Sequence, residues 1–162
     1  MKNIKVTQAS KKDGVQLVRF FKHYRNKDLI QNRIDCYLSH NFSVIAKDDK
    51  KIAGILQWYV KENPNDGVVE FEEVYVLDNY REKGIGSLLI DFAIQSVESH
   101  FRGLNIKPRK IFLFVDKENK KARKLYKKHG FQLVSSVGGL FSNKKTELFY
   151  CLDLRNTNTD VD

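Results

Sequence analysis

The sequence predicts an α/β domain of the α+β kind: a mixed central sheet of about seven strands flanked by about four helices, in the order β-α-α-β-β-β-α-β-α-β-β. Three observations carry this. β-type apolar runs bounded by turn residues recur along the whole chain. Apolar stripes at helical spacing separate some of these runs. One such stripe is long enough to cross over between two apolar runs, which demands parallel pairing there, whereas short turns elsewhere demand antiparallel pairing.

Taken in order, Ile4 and Val6 alternate with polar neighbours over residues 3 to 8 and read as a first strand. Asp13, with Gln16 three residues on, opens a helix whose apolar face is Leu17, Phe20, Phe21 and Tyr24. Asp28 caps a second helix carrying Ile30, Ile34, Tyr37 and Leu38. Phe42 to Lys47 and Lys51 to Val60 form a hairpin around Asp48-Asp49-Lys50, and Val68 to Val76 follows after the loop Asn63-Pro64-Asn65-Asp66-Gly67, so the three make an antiparallel meander. Leu88, Leu89, Phe92, Ala93, Val97 and Phe101 trace a helical stripe that Gly103 closes in the left-handed conformation. Ile111 to Val115 is the crossover strand. Ala122, Leu125, Tyr126 and His129 mark a last helix ended by Gly130, and Phe131 to Val137 with Thr146 to Leu154 make a final hairpin around Gly138-Gly139.

A chain of 162 residues accommodates one ordinary domain, 1–154, with 155–162 as a polar, disordered tail. Its start has no signal-peptide core and no stretch has the apolar length of a membrane span, so a soluble, cytoplasmic protein is expected, with no membrane partner. Cys36 and Cys151 lack a C-x-x-C partner and lie in apolar-periodic segments, which predicts buried free thiols. His23, His40, His100 and His129 show no ligand spacing, and no metal site is expected. The net charge of +9 is concentrated: residues 101 to 130 hold 11 basic against 2 acidic side chains, and the remainder balances at 18 against 18. Residues 62 to 73 instead carry Glu62, Asp66, Glu70, Glu72 and Glu73 without a Lys or Arg. Two readings fit: solvated faces that maintain solubility, or an anion bound at one place and a cation at another.

Chemistry concentrates where a strand ending at Val76 meets a helix starting near Gly86. In Arg81-Glu82-Lys83-Gly84-Ile85-Gly86-Ser87 two glycines let the backbone approach a ligand, and the first helical N–H groups have no internal partner. The helix dipole and the cationic Arg81 and Lys83 add positive potential, which suits a pyrophosphate. No G-K-[ST] follows, so this is not a Walker A loop, and Leu89 replaces the third glycine of a dinucleotide fingerprint.

R-x-x-G-x-G at Arg81, Gly84 and Gly86, preceded by Glu72-Glu73-Val74-Tyr75-Val76 and followed by Leu88-Leu89, resembles the acetyl-CoA loop of the GNAT superfamily of N-acetyltransferases. The likeness extends to Asn119-x-x-Ala122-x-x-Leu125-Tyr126-x-x-x-Gly130-Phe131 on the next helix, and the element order from Ile4 to about Leu154 is similar to the GNAT fold. The resemblance implies an enzyme moving an acetyl group from acetyl-CoA to a primary amine, a small cationic compound or a protein amine, by direct transfer in a ternary complex. It implies further that Val74, Tyr75 and Val76 pair through their backbone with the pantetheine arm of coenzyme A, that Arg81 to Ser87 hold the pyrophosphate, and that Asn119 contacts the arm. By the same likeness Tyr126 protonates the departing thiolate, and family members often pair as homodimers.

Physical alternatives stand beside these roles. Tyr126 also lies on the inner stripe of its helix, as a core aromatic would, and Asn119 is well placed as a helix cap. The resemblance, aligned on Arg81, implies a general base first at Glu72 and second at Glu70, and the two share one strand face with Cα atoms roughly 7 Å apart; Glu73 and Tyr75 are expected on the other face. Each of Glu70 and Glu72 could equally be a surface carboxylate. Glu82 stands where many relatives have glycine and is tolerated beside phosphate only if its side chain points to solvent. The alternative function is a non-catalytic module binding nucleic acid through the basic 101–130 segment; few aromatics interleave those charges, so nucleic acid is the less favoured partner.

Overall fold

The computed structural model describes residues 4–24, 26–39 and 42–156. The expected order of elements is observed. The strands are β1 (Ile4–Gln8), β2 (Ser43–Asp48), β3 (Lys51–Val60), β4 (Val68–Val76), β5 (Lys110–Asp116), β6 (Gln132–Gly138) and β7 (Thr146–Asp153). The α-helices are α1 (Gly14–Leu17), α2 (Lys27–Ser39), α3 (Ile85–Gly103) and α4 (Lys120–Lys128). Strand order in the mixed sheet is β1-β2-β3-β4-β5-β7-β6. The last hairpin is therefore inserted so that β7 sits beside β5 and β6 becomes the edge. The described residues fall into two compact units: those up to Trp58 with Glu73–Ser96, and Tyr59–Glu72 with those from Val97 on.

In the first unit, β1 pairs antiparallel with β2 from Ile4↔Asp48 to Gln8↔Val44, and β2 with β3 through the tight Asp49-Lys50 turn. Leu17, Phe20, Phe21, Ile34 and Tyr37 pack as one core cluster on Ile45, Ile52 and Ile55. Burying such side chains stabilises by about 1.5–3 kcal/mol each. The Tyr37 hydroxyl donates to Val44 O (2.6 Å) and lies 3.1 Å from Leu56 O, which fastens α2 to the sheet. Gln16 ties α1 to the hairpin, its Oε1 accepting from Ile52 N (3.0 Å) and its Nε2 donating to Lys50 O (2.8 Å).

Three local expectations are corrected in this unit. The first helical segment begins with a 3₁₀ turn at Lys11–Asp13, so Asp13 is not its opening cap but reaches back, accepting from Ser10 N and Oγ at 2.9 Å. Asp13 is buried and meets Lys47 Nζ at 2.6 Å. Burial alone would raise its pKa, but the Lys47 and Ser10 contacts outweigh that and hold the carboxyl below its ordinary value. The second helix is capped by Asn26, whose Oδ1 accepts from Asp28 N (2.8 Å), so Asp28 falls in the first turn. Cys36 is exposed, because α2 turns Ile34 and Tyr37 inward and leaves position 36 on the opposite side; Cys151 is half-buried.

In the second unit β4 pairs parallel with β5, β5 antiparallel with β7 from Lys110↔Asp153 to Asp116↔Glu147, and β6 with β7 across a bulge between Leu133 and Ser135. Helix α3 closes with Ile106 N bonded to Phe101 O (2.9 Å) and Asn105 N to Arg102 O (3.0 Å). The left-handed residue of this motif is Asn105 at φ 57°, two positions beyond the expected Gly103, since asparagine also tolerates that conformation. Arg155 and Asn156 of the expected tail belong to a 3₁₀ turn, Leu154–Asn156; residues 157–162 and His40 lie outside the described residues.

Candidate active site

Strand β4 supplies the backbone of the site. Its ladder with β5 covers Val68↔Lys110, Val69↔Ile111 and Glu70↔Phe112, while the strand itself continues to Val76. On its other side Lys61 N donates to Val68 O (2.9 Å) and Leu77 N to Ala53 O (3.0 Å). From Val68 to Leu77 the chain advances nine positions while its antiparallel partner retreats eight, from Lys61 to Ala53. One extra residue is therefore inserted in β4, a β-bulge. Glu73 is the bulged residue, with φ 52°, a conformation that costs a side chain about 1–2 kcal/mol. The period-two alternation expected for Glu70, Glu72, Glu73 and Tyr75 therefore slips by one at Glu73.

The segment after the bulge is held closely. Tyr75 makes an edge-on contact with Phe20 (centroids 5.9 Å apart), and the Arg81 guanidinium lies 5.5 Å from the Tyr75 ring centroid. Arg81 Nε donates to Val76 O (3.0 Å) and its Nη2 pairs with Asp78 Oδ1 (2.8 Å). Gly54 of β3 faces this segment: a Cβ there would stand 3.0 Å from both Tyr75 O and Leu89 Cδ1. Gly54 thus gives Leu89, fully buried, the close helix–strand approach that a third glycine on the helix would otherwise provide.

The loop 81–87 carries two residues of positive φ ahead of α3, Glu82 (φ 62°) and Gly84 (φ 78°), just before the helix begins at Ile85. A Cβ at Gly84 would meet nothing within 4 Å, so the position needs glycine's backbone freedom and not its small size. Arg81, Glu82, Lys83 and Gly84 are exposed, Ile85 is buried, and Gly86 and Ser87 are half-buried. Lys83 Nζ donates to Asn79 O (2.7 Å), which keeps its charge beside the loop.

The carboxylates and the tyrosine belong to the second unit. Glu70 Oε2 pairs with Lys61 Nζ (3.0 Å), and this bond raises the Lys61 pKa and keeps the amine charged. Glu72 Oε2 accepts from the Tyr59 hydroxyl (3.0 Å). Tyr126 is 5% exposed, and burial pushes its phenol above the ordinary value, so it stays protonated throughout the neutral range. Its ring lies 5.9 Å from Phe131, which in turn lies 6.1 Å from Phe71. Phe71 projects from β4 opposite to Glu70 and Glu72, so carboxylates and phenol lie on opposite faces of one strand. Asn119 Oδ1 accepts from Ala122 N (3.1 Å) and caps α4. Among the described residues no group of three His, Cys, Asp or Glu could hold a metal ion, and no helix is long and apolar enough to cross a membrane.

Four residues of this arrangement escaped sequence reasoning. Gly54 carried a signal, since a glycine inside an apolar strand marks a close approach. Tyr59 and Lys61 could have been found by laying β3 against β4. Arg33, which bonds Glu73 from forty positions away, left no local trace.

The sequence pattern of the Acetyltransferase (GNAT) family matches residues 13–131. No curated protein matches the chain by sequence. Among solved structures, an N-acetyltransferase from Staphylococcus aureus Mu50 is 17% identical with a TM-score of 0.76, covering 94% of this chain and 99% of that one. A ribosomal-protein-alanine N-acetyltransferase from Brucella melitensis is 18% identical with a TM-score of 0.76, covering 93% and 99%. An acetyltransferase of the GNAT family from Streptococcus pneumoniae is 19% identical with a TM-score of 0.75, covering 94% and 100%. At such identities the likeness is one of fold.

Proposed function

The chain belongs to the GNAT family of acetyltransferases, and from that membership we propose that it moves the acetyl group of acetyl-CoA directly to a primary amine in a ternary complex. The observation that carries this reading is the end of the β4–β5 ladder at Glu70, with β4 running on to Val76 and leading into the left-handed loop before α3. A strand edge of this kind accepts an amide-bearing arm as an added strand, and Val74, Tyr75 and Val76 supply it. Arg81, Lys83 and the amides from Glu82 to Ser87 hold the pyrophosphate, each charge-assisted bond contributing about 1.5–3 kcal/mol. A main-chain N–H of the same strand polarises the thioester carbonyl.

The acceptor must arrive at the reacting atoms as a neutral amine. Glu72 takes the proton of the ammonium, directly or through water, and the nitrogen attacks the carbonyl carbon. The C–S bond then breaks, the departing thiolate receives the Tyr126 proton, and the second proton of the attacking nitrogen passes to water, from which the Tyr126 phenolate is reprotonated. Glu72 is favoured over Glu70 because Glu70 is tied in a direct ion pair to Lys61 Nζ at 3.0 Å, whereas Glu72 Oε2 accepts from the Tyr59 hydroxyl. Asn119, by capping α4, orients the helix that carries Tyr126, and its placement at the helix start is also where the coenzyme arm would pass. The acidic 62–73 segment favours a cationic acceptor, either a small amine or a protein amine. A cytoplasmic setting fits the free thiols Cys36 and Cys151. The nucleic-acid reading has less support, because the one aromatic of α4, Tyr126, is buried and cannot stack on a base.

The test is a screen of amine acceptors with release of free thiol as readout. Glu72→Gln is expected to lower kcat about 100-fold, and Glu70→Gln less than tenfold. Equal turnover in Glu72→Gln and the parent would remove Glu72 from the mechanism.

A homodimer belongs to the same proposal, with β6 as its seam. β6 is an edge strand whose seven residues are all exposed, and Leu133, Val134, Val137, Leu140 and Phe141 remain open to solvent. No charged residue occurs from Gln132 to Asn143, so the edge lacks the lysines that keep open edges apart. An uncharged strand pairs antiparallel with its own copy about a two-fold axis without setting like charges opposite each other. Sedimentation should give a dimer for the parent chain and a monomer for Val134→Lys; a parent that stays monomeric at high concentration refutes the seam.

A further inference from the structure

We propose that Arg33 is a positioning residue for acetyl transfer: by clamping Glu73 it holds the β4 bulge that turns the Val74–Val76 backbone toward the coenzyme arm. The proposal rests on the acetyl-CoA reading above. It starts from a conformational outlier. Among the described residues, six that are not glycine have positive φ; five lie in turns, loops or a helix end, and Glu73 alone lies inside a strand. A residue bearing a Cβ stays in that conformation only where its surroundings hold it there. Without support, β4 would relax toward regular alternation and shift every backbone group after position 73.

The support comes from α2. Arg33 Nη2 and Nε both donate to Glu73 Oε1, at 3.0 and 3.3 Å, and the two side chains are only 24% and 18% exposed. α2 is itself rigidly placed: Ile34 and Tyr37 are buried beside Arg33, and the Tyr37 hydroxyl bonds to carbonyls of β2 and β3. Two residues beyond Glu73, Phe20 and Arg81 pin the Tyr75 ring. The segment is thus gripped at both ends, by Arg33 at the bulge and by Phe20 with Arg81 at Tyr75. An ordinary half-exposed ion pair would contribute little and would not depend on the backbone angle of its partner; a clamp should matter only while residue 73 is strained.

Glycine separates these possibilities, since it adopts φ 52° without a Cβ penalty. In the full-length protein, hydrogen exchange of the Val74–Val76 amides without ligand reports the clamp, and calorimetry with acetyl-CoA reports its consequence. Arg33→Ala is expected to speed exchange about tenfold and to weaken acetyl-CoA binding about tenfold, with little change in the urea midpoint. Arg33→Lys should recover part of both. Glu73→Val, which is β-branched and cannot enter the left-handed region, should lose more than Glu73→Gly, and Arg33→Ala should add nothing in the Glu73→Gly background. The inference is overturned if Arg33→Ala leaves exchange unchanged, if Glu73→Val is no worse than Glu73→Gly, or if Arg33→Ala acts equally in both backgrounds. A parent protein that takes up no acetyl-CoA instead overturns the acetyl-transfer reading, and with it the role of the bulge, whatever the exchange data show.

Discussion

Replacing Tyr126 by phenylalanine is expected to lower kcat about 100-fold while leaving the KM for acetyl-CoA within about threefold, the pattern of a proton donor that acts only as the C–S bond breaks. The ring keeps its place, because its contact with Phe131 is apolar and phenylalanine fills the same space, so the melting temperature should stay put. The pH profile gives an independent check. An acid must be protonated to work, and burial moves the Tyr126 phenol above its ordinary value near 10, so kcat in the parent should show no alkaline fall up to about pH 10. Full turnover in Tyr126→Phe would return this residue to the core and leave the thiolate to be protonated by water.

Gly67→Ala should produce the largest loss of stability. Gly67 ends the loop before β4 at φ 61°, and its carbonyl accepts from Arg109 N (2.7 Å) and Lys110 N (3.2 Å), so it joins the start of β4 to the start of β5. A Cβ at that position would lie 2.6 Å from Lys107 O, a backbone atom that cannot swing aside as a side chain would. Left-handed strain of about 1–2 kcal/mol and overpacking of similar size together give a loss of about 3 kcal/mol. For a chain of this length that is a fall in melting temperature of about 10 °C. Gly84→Ala is the control: it carries the strain at φ 78° but has open space, so its loss should be about 1 kcal/mol. Thermal unfolding followed by circular dichroism decides between them, and equal losses would show that the close contact at Lys107 carries no weight.

The sequence by itself determined what depends on neighbours along the chain. Period-two and helical spacing located seven strands and four helices in order, because each element buries one face and its apolar residues must recur with that geometry. The spacing of Arg81, Gly84 and Gly86 likewise located the turn ahead of α3, where Glu82 and Gly84 have positive φ, since such backbone angles are local properties. Local reading failed where two reasonable caps competed, as with Asp28 against Asn26, or where a face was assigned without its packing partner, as with Cys36. Only the tertiary structure decided where the β4–β5 ladder stops, that β4 carries an extra residue at Glu73, that Glu72 accepts from Tyr59 while Glu70 pairs with Lys61, and that Arg33 reaches Glu73. A bulge exists only relative to the strand beside it, and an ion pair across forty residues only once a helix has docked. Such relations between distant segments are set by packing, which no repeat along a single chain encodes.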